Sequence, residues 1–186
     1  MGADIVERIA RWFALHGAQS YEGARRESVS ALEHALQCAR LAEDAGAGPA
    51  LVAAALLHDI GHFVALDDLP GHDDVDDLHE RRGAAVLAPH FPPAVCEPVR
   101  LHVAAKRWLT AVEPAYLRAL SPASVHTLAQ QGGPMDAAQA AAFEAAPFAG
   151  DAVGVRRWDD LAKVPGRPTP RLDDYLPLLD EVRLRA

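Results

Sequence analysis

Two cysteines, Cys38 and Cys96, each set in apolar sequence, leave neither a disulfide framework nor a thiolate metal cage to be read from the 186 residues. Basic residues are few as well: 18 Lys and Arg stand against 26 Asp and Glu, for a formal net charge of −8. Such a chain is a poor general partner for nucleic acid or an anionic membrane, although a small anionic substrate responds to local charge and not to the total. No segment approaches the ~20 consecutive apolar residues that a membrane span requires. The first residues, "MGADIVERIARWFALHG", lack the basic start and long apolar run of a secretory signal, and Val6 stands where a myristoylation signal takes Ser or Thr. These absences lead to the expectation of a soluble, cytoplasmic protein with two buried free thiols.

What the chain has is helical periodicity. At half hydrophobic it can build one domain with a substantial core. Ile5, Ile9, Trp12 and Phe13 form one amphipathic stripe; His34, Cys38, Leu41 and Ala45 form another, closed by Gly46. Pro49 opens a helix expected to run through "ALVAAALLHDIGH", followed by a polar loop, "LDDLPGHDDVDD". The loop carboxylates lack the glycine and spacing of a calcium site and read as a solvated loop or a lid. Further helices are expected over 78–87, from Pro92-Pro93 through "VCEPVRLHVAAKRWL" with a kink or break at Pro98, and over 124–130, 136–144 and 150–163. The proline-rich end reads as an extended arm before a short helix. No strand and no repeat stands out, so the expected fold is all-α.

Nine histidines are many for this length. His34, His58, His79 and His102 all sit in apolar helical sequence, and Asp59 follows His58 directly. An unpartnered polar group costs roughly 2–7 kcal/mol to bury. A cation shared among these side chains removes that cost, and a nitrogen and carboxylate set suits iron, manganese, cobalt or zinc at five or six coordination. Spacing adds a second argument, because residues three or four apart share a helix face at about ~5–6 Å. His62 follows His58 by four residues, Lys106 follows His102 by four, and Arg156 precedes Asp159 by three. Each pair sets a candidate ligand beside a cationic or proton-donating group, which describes a metal centre next to an anion pocket. Arg107 and Arg157 read instead as solvated surface, as do His16, His72, His90 and His126; Trp12, Trp108 and Trp158 read as core. In "GGPMD" a turn starts a helix with Asp136 near the cap.

The order His34, His58-Asp59, then Asp159 resembles the signature of the HD-domain superfamily. Closer still are "LEHALQCARLAEDAGA", "AALLHDIGH", His79-Glu80, "HVAAKRWL", "LSPASVHTLAQQGGPM" and "RRWDDLAKVPG". These resemble the mixed-valent diiron oxygenases that cleave organophosphonates, typified by 2-amino-1-hydroxyethylphosphonate dioxygenase and related in chemistry to myo-inositol oxygenase. The likeness runs from about Tyr21 to Pro177. It implies a single HD-type helical bundle over residues 1–186, with an N-terminal helix (1–20), a metal-binding core (21–163) and a C-terminal arm with a short helix (164–186). It implies one iron held by His34, His58, Asp59 and Asp159, with Asp59 bridging to a second iron completed by His79 and His102. Asp160, beside Trp158, is the competing carboxylate for Asp159, which is preferred because it shares a face with Arg156. His62, Lys106, Ser124, Gln131 and Arg156 would hold the phosphonate and its α-hydroxyl, with Tyr21, Glu27, His62 and Lys106 counted as the catalytic residues.

The implied reaction is O2-dependent cleavage of the C–P bond at an Fe(II)/Fe(III) pair, giving phosphate and a carboxylic acid. The implied partners are thus a small organophosphonate and O2. The family also sets a tyrosine three residues before a glutamate as a lid. Here "YEGARRE" puts Tyr21 six residues before Glu27, with Glu22 a competing acid, so the substrate's side group can be aminoethyl, hydroxymethyl or trimethylammonio. The rival reading is a divalent-metal phosphohydrolase acting on a nucleotide or phosphate ester with the same ligands; oxygen dependence separates the two. A non-catalytic module that has kept the fold is disfavoured by the intact ligand set.

Overall fold

The computed structural model describes residues 4–19, 29–68 and 78–185, the side chains of 65–68 excepted. Tyr21, Glu22, Glu27 and His72 lie outside the described residues, as does most of the acidic stretch. The described residues form eleven helices and no strand. They are α1 (Ile5–His16), α2 (Ala31–Asp44), α3 (Pro49–Leu57), α4 (Ile60–Asp68), α5 (His79–Leu87), α6 (Pro93–Val112), α7 (Pro114–Ala119), α8 (Pro122–Gln130), α9 (Ala137–Glu144), α10 (Ala149–Leu161) and α11 (Leu172–Val182). The protein is all-α.

α6 forms the spine. It is packed by α3, α5 and α10, while α2 closes over α3 and α10. One apolar core runs from Ile9 and Phe13 through Leu56, Leu57 and Ile60 to Leu87, Val95 and Val99, and takes in Tyr175 and Leu179 of α11. Each fully buried Leu or Ile here contributes ~1.5–3 kcal/mol over its exposed state. A smaller cluster of Leu101, Ala105, Phe143, Ala149 and Ala152 joins α6 to α9 and α10. The stripe Ile5, Ile9, Trp12 and Phe13 is buried throughout. Trp108 and Trp158 are half-buried, and the Trp108 indole donates to Glu144 Oε1 at 2.8 Å.

Several boundaries differ from the sequence expectation. The helix expected to run through His58 to His62 is two helices, α3 ending at Leu57 and α4 starting at Ile60, with His58 and Asp59 in the turn between them. On one continuous helix neighbouring side chains diverge by a fixed ~100°; the turn lets them be aimed separately. α4 then continues to Asp68, two residues past the expected start of the polar loop at Leu66. Pro98 does not break α6, which runs its full 20 residues around it. A proline removes one N–H, and the packing of α6 on three neighbours holds the helix through that loss. α7 was not anticipated.

Caps set the register of the elements that carry the site. Ser30 and Glu33 make a reciprocal capping box at the start of α2, which fixes His34 one turn in. Asp136 and Gln139 do the same for α9. Gly61 lets α4 and α5 touch, because a Cβ there would lie 1.9 Å from the carbonyl oxygen of His79. That contact sets how far His79 stands from the His58-Asp59 turn.

Candidate metal centre

Four imidazoles converge from four places: His34 on α2, His58 in the α3–α4 turn, His79 at the start of α5 and His102 on α6. All four are buried. Their Nε2 atoms meet in two pairs, His34 with His58 at 3.2 Å and His79 with His102 at 3.1 Å. Asp59 stands between the pairs. Its Oδ2 lies 3.4 Å from His58 and 3.9 Å from His34, while its Oδ1 lies 3.3 Å from His79 and 3.6 Å from His102. One carboxylate therefore turns a different oxygen to each pair. Asp159, near the end of α10, brings Oδ1 to 3.5 Å from His34 Nε2.

Backbone carbonyls orient the rings. His34 Nδ1 pairs with the carbonyl of Ala162 at 2.9 Å, His58 Nδ1 with Ala55 at 2.8 Å and His102 Nδ1 with Val99 at 2.7 Å. A carbonyl only accepts, so in each case Nδ1 carries the proton and a neutral ring presents the Nε2 lone pair inward. Two such lone pairs facing each other at 3.2 Å repel unless a cation lies within reach of both. Asp59 Oδ2 is buried and accepts no hydrogen bond. Cys38 Sγ lies 3.7 Å from His34 Nε2, and burial pushes its thiol well above the ordinary value. The orphaned oxygen and the paired nitrogens together suit a metal centre with nitrogen and oxygen donors. Among the described residues the donors fall in two groups, His34 and His58 with Cys38 beside them, and Asp59 with His79 and His102.

The charges follow the same geometry. Burial holds His34 down at about 4, more than the neighbouring Asp159 restores. His102 is held well below its ordinary value by burial and by His79. Burial also opposes the cation on His58, but Asp59 and Asp159 outweigh it and raise that ring. Burial opposes the Asp59 carboxylate too, yet His58 and His79 hold it well below the usual carboxylate range. A pH dependence of the metal-free protein follows. A histidine lowered in the fold binds fewer protons folded than unfolded, so its stability is complete above ~6.5 and drains as pH falls toward 4. For His34 the loss is on the order of ~3 kcal/mol. His102 acts in the same direction, whereas the raised His58 opposes both by stabilising most at low pH; Asp59 and Asp159, each held below the usual carboxylate range, withdraw stability only below about pH 4. Thermal midpoints of chelator-treated protein are expected to fall steadily between pH 7 and pH 4.

A cluster of cationic side chains adjoins the imidazoles through Asp159, which meets both Arg156 and His34. Lys106 is 3% exposed, although it is a lysine, and donates to Thr127 Oγ1 at 2.9 Å. Arg156 is buried and donates through Nη1 to Asp159 Oδ2 at 2.6 Å and through Nη2 to Ser124 Oγ at 3.3 Å. Lys163 Nζ reaches the same Ser124 Oγ at 3.4 Å. Burial works against the Arg156 cation, but Asp159 and Asp160 hold it firmly charged. His62 stacks on His79 with ring centroids 4.0 Å apart. Gln131 follows α8, and its Oε1 is buried without a hydrogen-bond donor. Both Asp160 oxygens are taken by Arg156, and Tyr116 shares one of them, so Asp159 and not Asp160 is the carboxylate turned to the imidazoles.

Some surface assignments need correction. Arg107 is half-buried, not solvated: it donates through Nε to the carbonyl of Gly133 at 2.8 Å and through Nη2 to Gln139 Oε1 at 3.1 Å. It pins a turn in which Gly132 and Gly133 take positive φ values of 95° and 68°, directly after Gln131. His16 and His90 are half-buried, whereas Arg157 and His126 are exposed as expected. Three contributors had no assigned role. Lys163 stands four residues past Asp159, the same spacing as His102 and Lys106, and that signal was available. Thr127 and Gln37 gave none. The Gln37 amide pairs with both the N–H and the carbonyl of Val164, at 3.1 and 2.8 Å, and so anchors the segment after α10 to α2.

An HD-domain family model matches residues 31–142, and the matched span holds every converging side chain except Asp159. Hydroxymethylphosphonate dioxygenase of Gimesia maris is 47% identical over 174 residues, covering 91% of this chain and 85% of that protein. The chain belongs to the HD-domain phosphonate dioxygenases. A second member, the glycine-betaine-forming [1-hydroxy-2-(trimethylamino)ethyl]phosphonate dioxygenase of Leisingera caerulea, is 41% identical over 180 residues, 96% of this chain and 90% of its own. Both relatives are dioxygenases whose named substrates are hydroxyphosphonates with different side groups. Among the described residues no helix is long and apolar enough to cross a membrane.

Proposed function

We propose that this protein is a dioxygenase that cleaves the C–P bond of a small α-hydroxyphosphonate, and that its metal centre is a pair of irons, Fe(II) and Fe(III). The observation that carries the reading is the division of Asp59 between two imidazole pairs, beside a buried lysine and arginine. His34, His58 and Asp159 would hold one ion, His79 and His102 the other, with Asp59 shared. When bound, the irons supply O2 activation and a Lewis-acid contact for the substrate's oxygens.

The chain's own groups account for binding and orientation. Lys106 and Arg156 match a phosphonate dianion: the ammonium offers a point charge and the guanidinium a planar fork. Ser124 and Thr127 place hydroxyls between these cations, and Gln131 Oε1 offers an acceptor. His62, stacked on His79, would take or give a proton at the α-hydroxyl. In the net reaction the carbinol carbon loses its hydrogen and its phosphorus and becomes a carboxylic acid, phosphorus leaves as phosphate, and both atoms of O2 enter the products. The equation balances without a reductant, so the site needs no electron-donor cofactor.

Hydroxymethylphosphonate is the first substrate to try, with the trimethylammonio and aminoethyl analogues as alternatives. The experiment is a panel of α-hydroxyphosphonates under air and under argon, read by phosphate release, O2 uptake and metal content. Phosphate release that requires O2, from protein holding close to two irons per chain, is the expected result. Equal release under argon, or full activity with zinc alone, would instead make the protein a hydrolase.

A further inference from the structure

Asp160 adjoins Asp159 and takes no part in the convergence of imidazoles. Its oxygens hold one edge of Arg156: Nε donates to Oδ2 at 3.1 Å and Nη2 donates to Oδ1. The Tyr116 hydroxyl, from α7, donates to the same Oδ2 at 2.5 Å and accepts from Arg156 Nε at 2.9 Å. Burial raises the Tyr116 phenol above its ordinary value, which keeps that hydroxyl a donor. The guanidinium is therefore gripped on one edge by Asp160 and Tyr116, and through Nη1 by Asp159.

We infer that Tyr116 and Asp160 are a positioning pair for Arg156, holding its guanidinium in the one orientation that serves Asp159, Ser124 and the phosphonate together. The charge count favours this role. A carboxylate this close weakens the attraction of Arg156 for a dianion, so Asp160 adds nothing to binding as a charge. What it adds is orientation: a planar fork fixed before the ligand arrives loses less entropy on binding. α7 then has a function in the fold, which is to bring one hydroxyl to α10. The inference rests on the phosphonate reading above.

Tyr116→Phe tests it, because the change removes one O–H and leaves every charge and the ring in place. Four quantities are read: iron per chain, thermal midpoint, KM and kcat with hydroxymethylphosphonate, and calorimetric binding of methylphosphonate without O2. Losing a hydrogen bond within a buried charged cluster is expected to raise both KM and the methylphosphonate Kd about tenfold. Iron content and kcat should stay close to wild type. A lowered thermal midpoint with unchanged KM and Kd would show that Tyr116 is merely structural and overturn the pair. Asp160→Asn is the second variant and decides the matter if Tyr116→Phe does not fold: it also removes a charge that opposes the dianion, so a methylphosphonate Kd that rises despite that removal is the expected result, and a Kd that falls would overturn the pair. Wild-type protein that neither binds methylphosphonate nor releases phosphate from any hydroxyphosphonate would overturn the phosphonate reading itself, and the pair with it. An active Tyr116→Phe enzyme with wild-type KM would overturn the pair alone.

Discussion

Asp59→Ala is expected to lower metal occupancy at both positions of the centre, whereas His102→Ala should deplete chiefly one. The asymmetry follows from geometry. Asp59 turns Oδ2 to the His34 and His58 pair and Oδ1 to the His79 and His102 pair, so its removal reaches both. Among the described residues, His102 Nε2 meets His79 Nε2 and Asp59 Oδ1. Removing one partner from a buried charged cluster typically costs ~3–5 kcal/mol. That corresponds to a loss of metal affinity from roughly a hundredfold to several-thousandfold at ~1.4 kcal/mol per decade. Phosphate release should fall below detection in Asp59→Ala even when iron is supplied in excess. Iron per chain, measured on both variants after identical loading, is the check. Equal loss of a single ion from both would make the centre mononuclear.

The second large effect concerns binding without metal loss. Lys106→Ala should keep its bound metal and its fold and lose activity mainly at subsaturating substrate. Lys106 stands one turn beyond His102 on α6, so its ammonium can meet an anion at the centre without ligating it. Truncating one member of a desolvated charge pair costs on the order of ~2–5 kcal/mol, much of it from stranding the partner charge. The expected fall in kcat/KM is thus roughly thirtyfold to several-thousandfold at ~1.4 kcal/mol per decade. Arg156→Ala should act similarly, with some loss of metal as well, because Arg156 also holds Asp159 Oδ2. The solvent-facing control is Arg157, whose side chain is 45% exposed and pairs with Glu113 on the surface. Exposed pairs contribute ~0–1 kcal/mol, so Arg157→Ala should change little. Arg107 cannot serve as that control, since it pins the turn after Gln131. A Lys106→Ala enzyme with wild-type kcat/KM would place the anion pocket elsewhere.

The sequence by itself determined most of the helices and the side chains that converge at the centre. Periodicity is a local property, and it marked α1, α2, α5, α8, α9 and α10 to within a few residues. Burial of four histidines in apolar helices, against the cost of hiding polar groups, was enough to expect a cation. The i,i+4 rule paired His102 with Lys106, and the fold keeps both buried on one helix.

Only the tertiary structure decided how these side chains divide. The run "AAALLHDIGH" is apolar throughout and shows no strong stop signal at His58 and Asp59, yet α3 ends at Leu57 and α5 packs closely on Gly61 just beyond the turn. The two Asp59 oxygens face different imidazole pairs. Asp159 and Asp160 are adjacent and chemically identical, so spacing could rank them but not separate their roles. Their neighbours do: Arg156 bonds both, Tyr116 claims an oxygen of Asp160, and one oxygen of Asp159 is left facing His34. Arg107 looked solvated because its sequence neighbours are polar or half-buried, and its partners, Gly133 and Gln139, lie 26 and 32 residues away. A sequence records which donors and acceptors exist. Which of them meet depends on contacts between residues far apart in the chain, and those are settled when the helices pack.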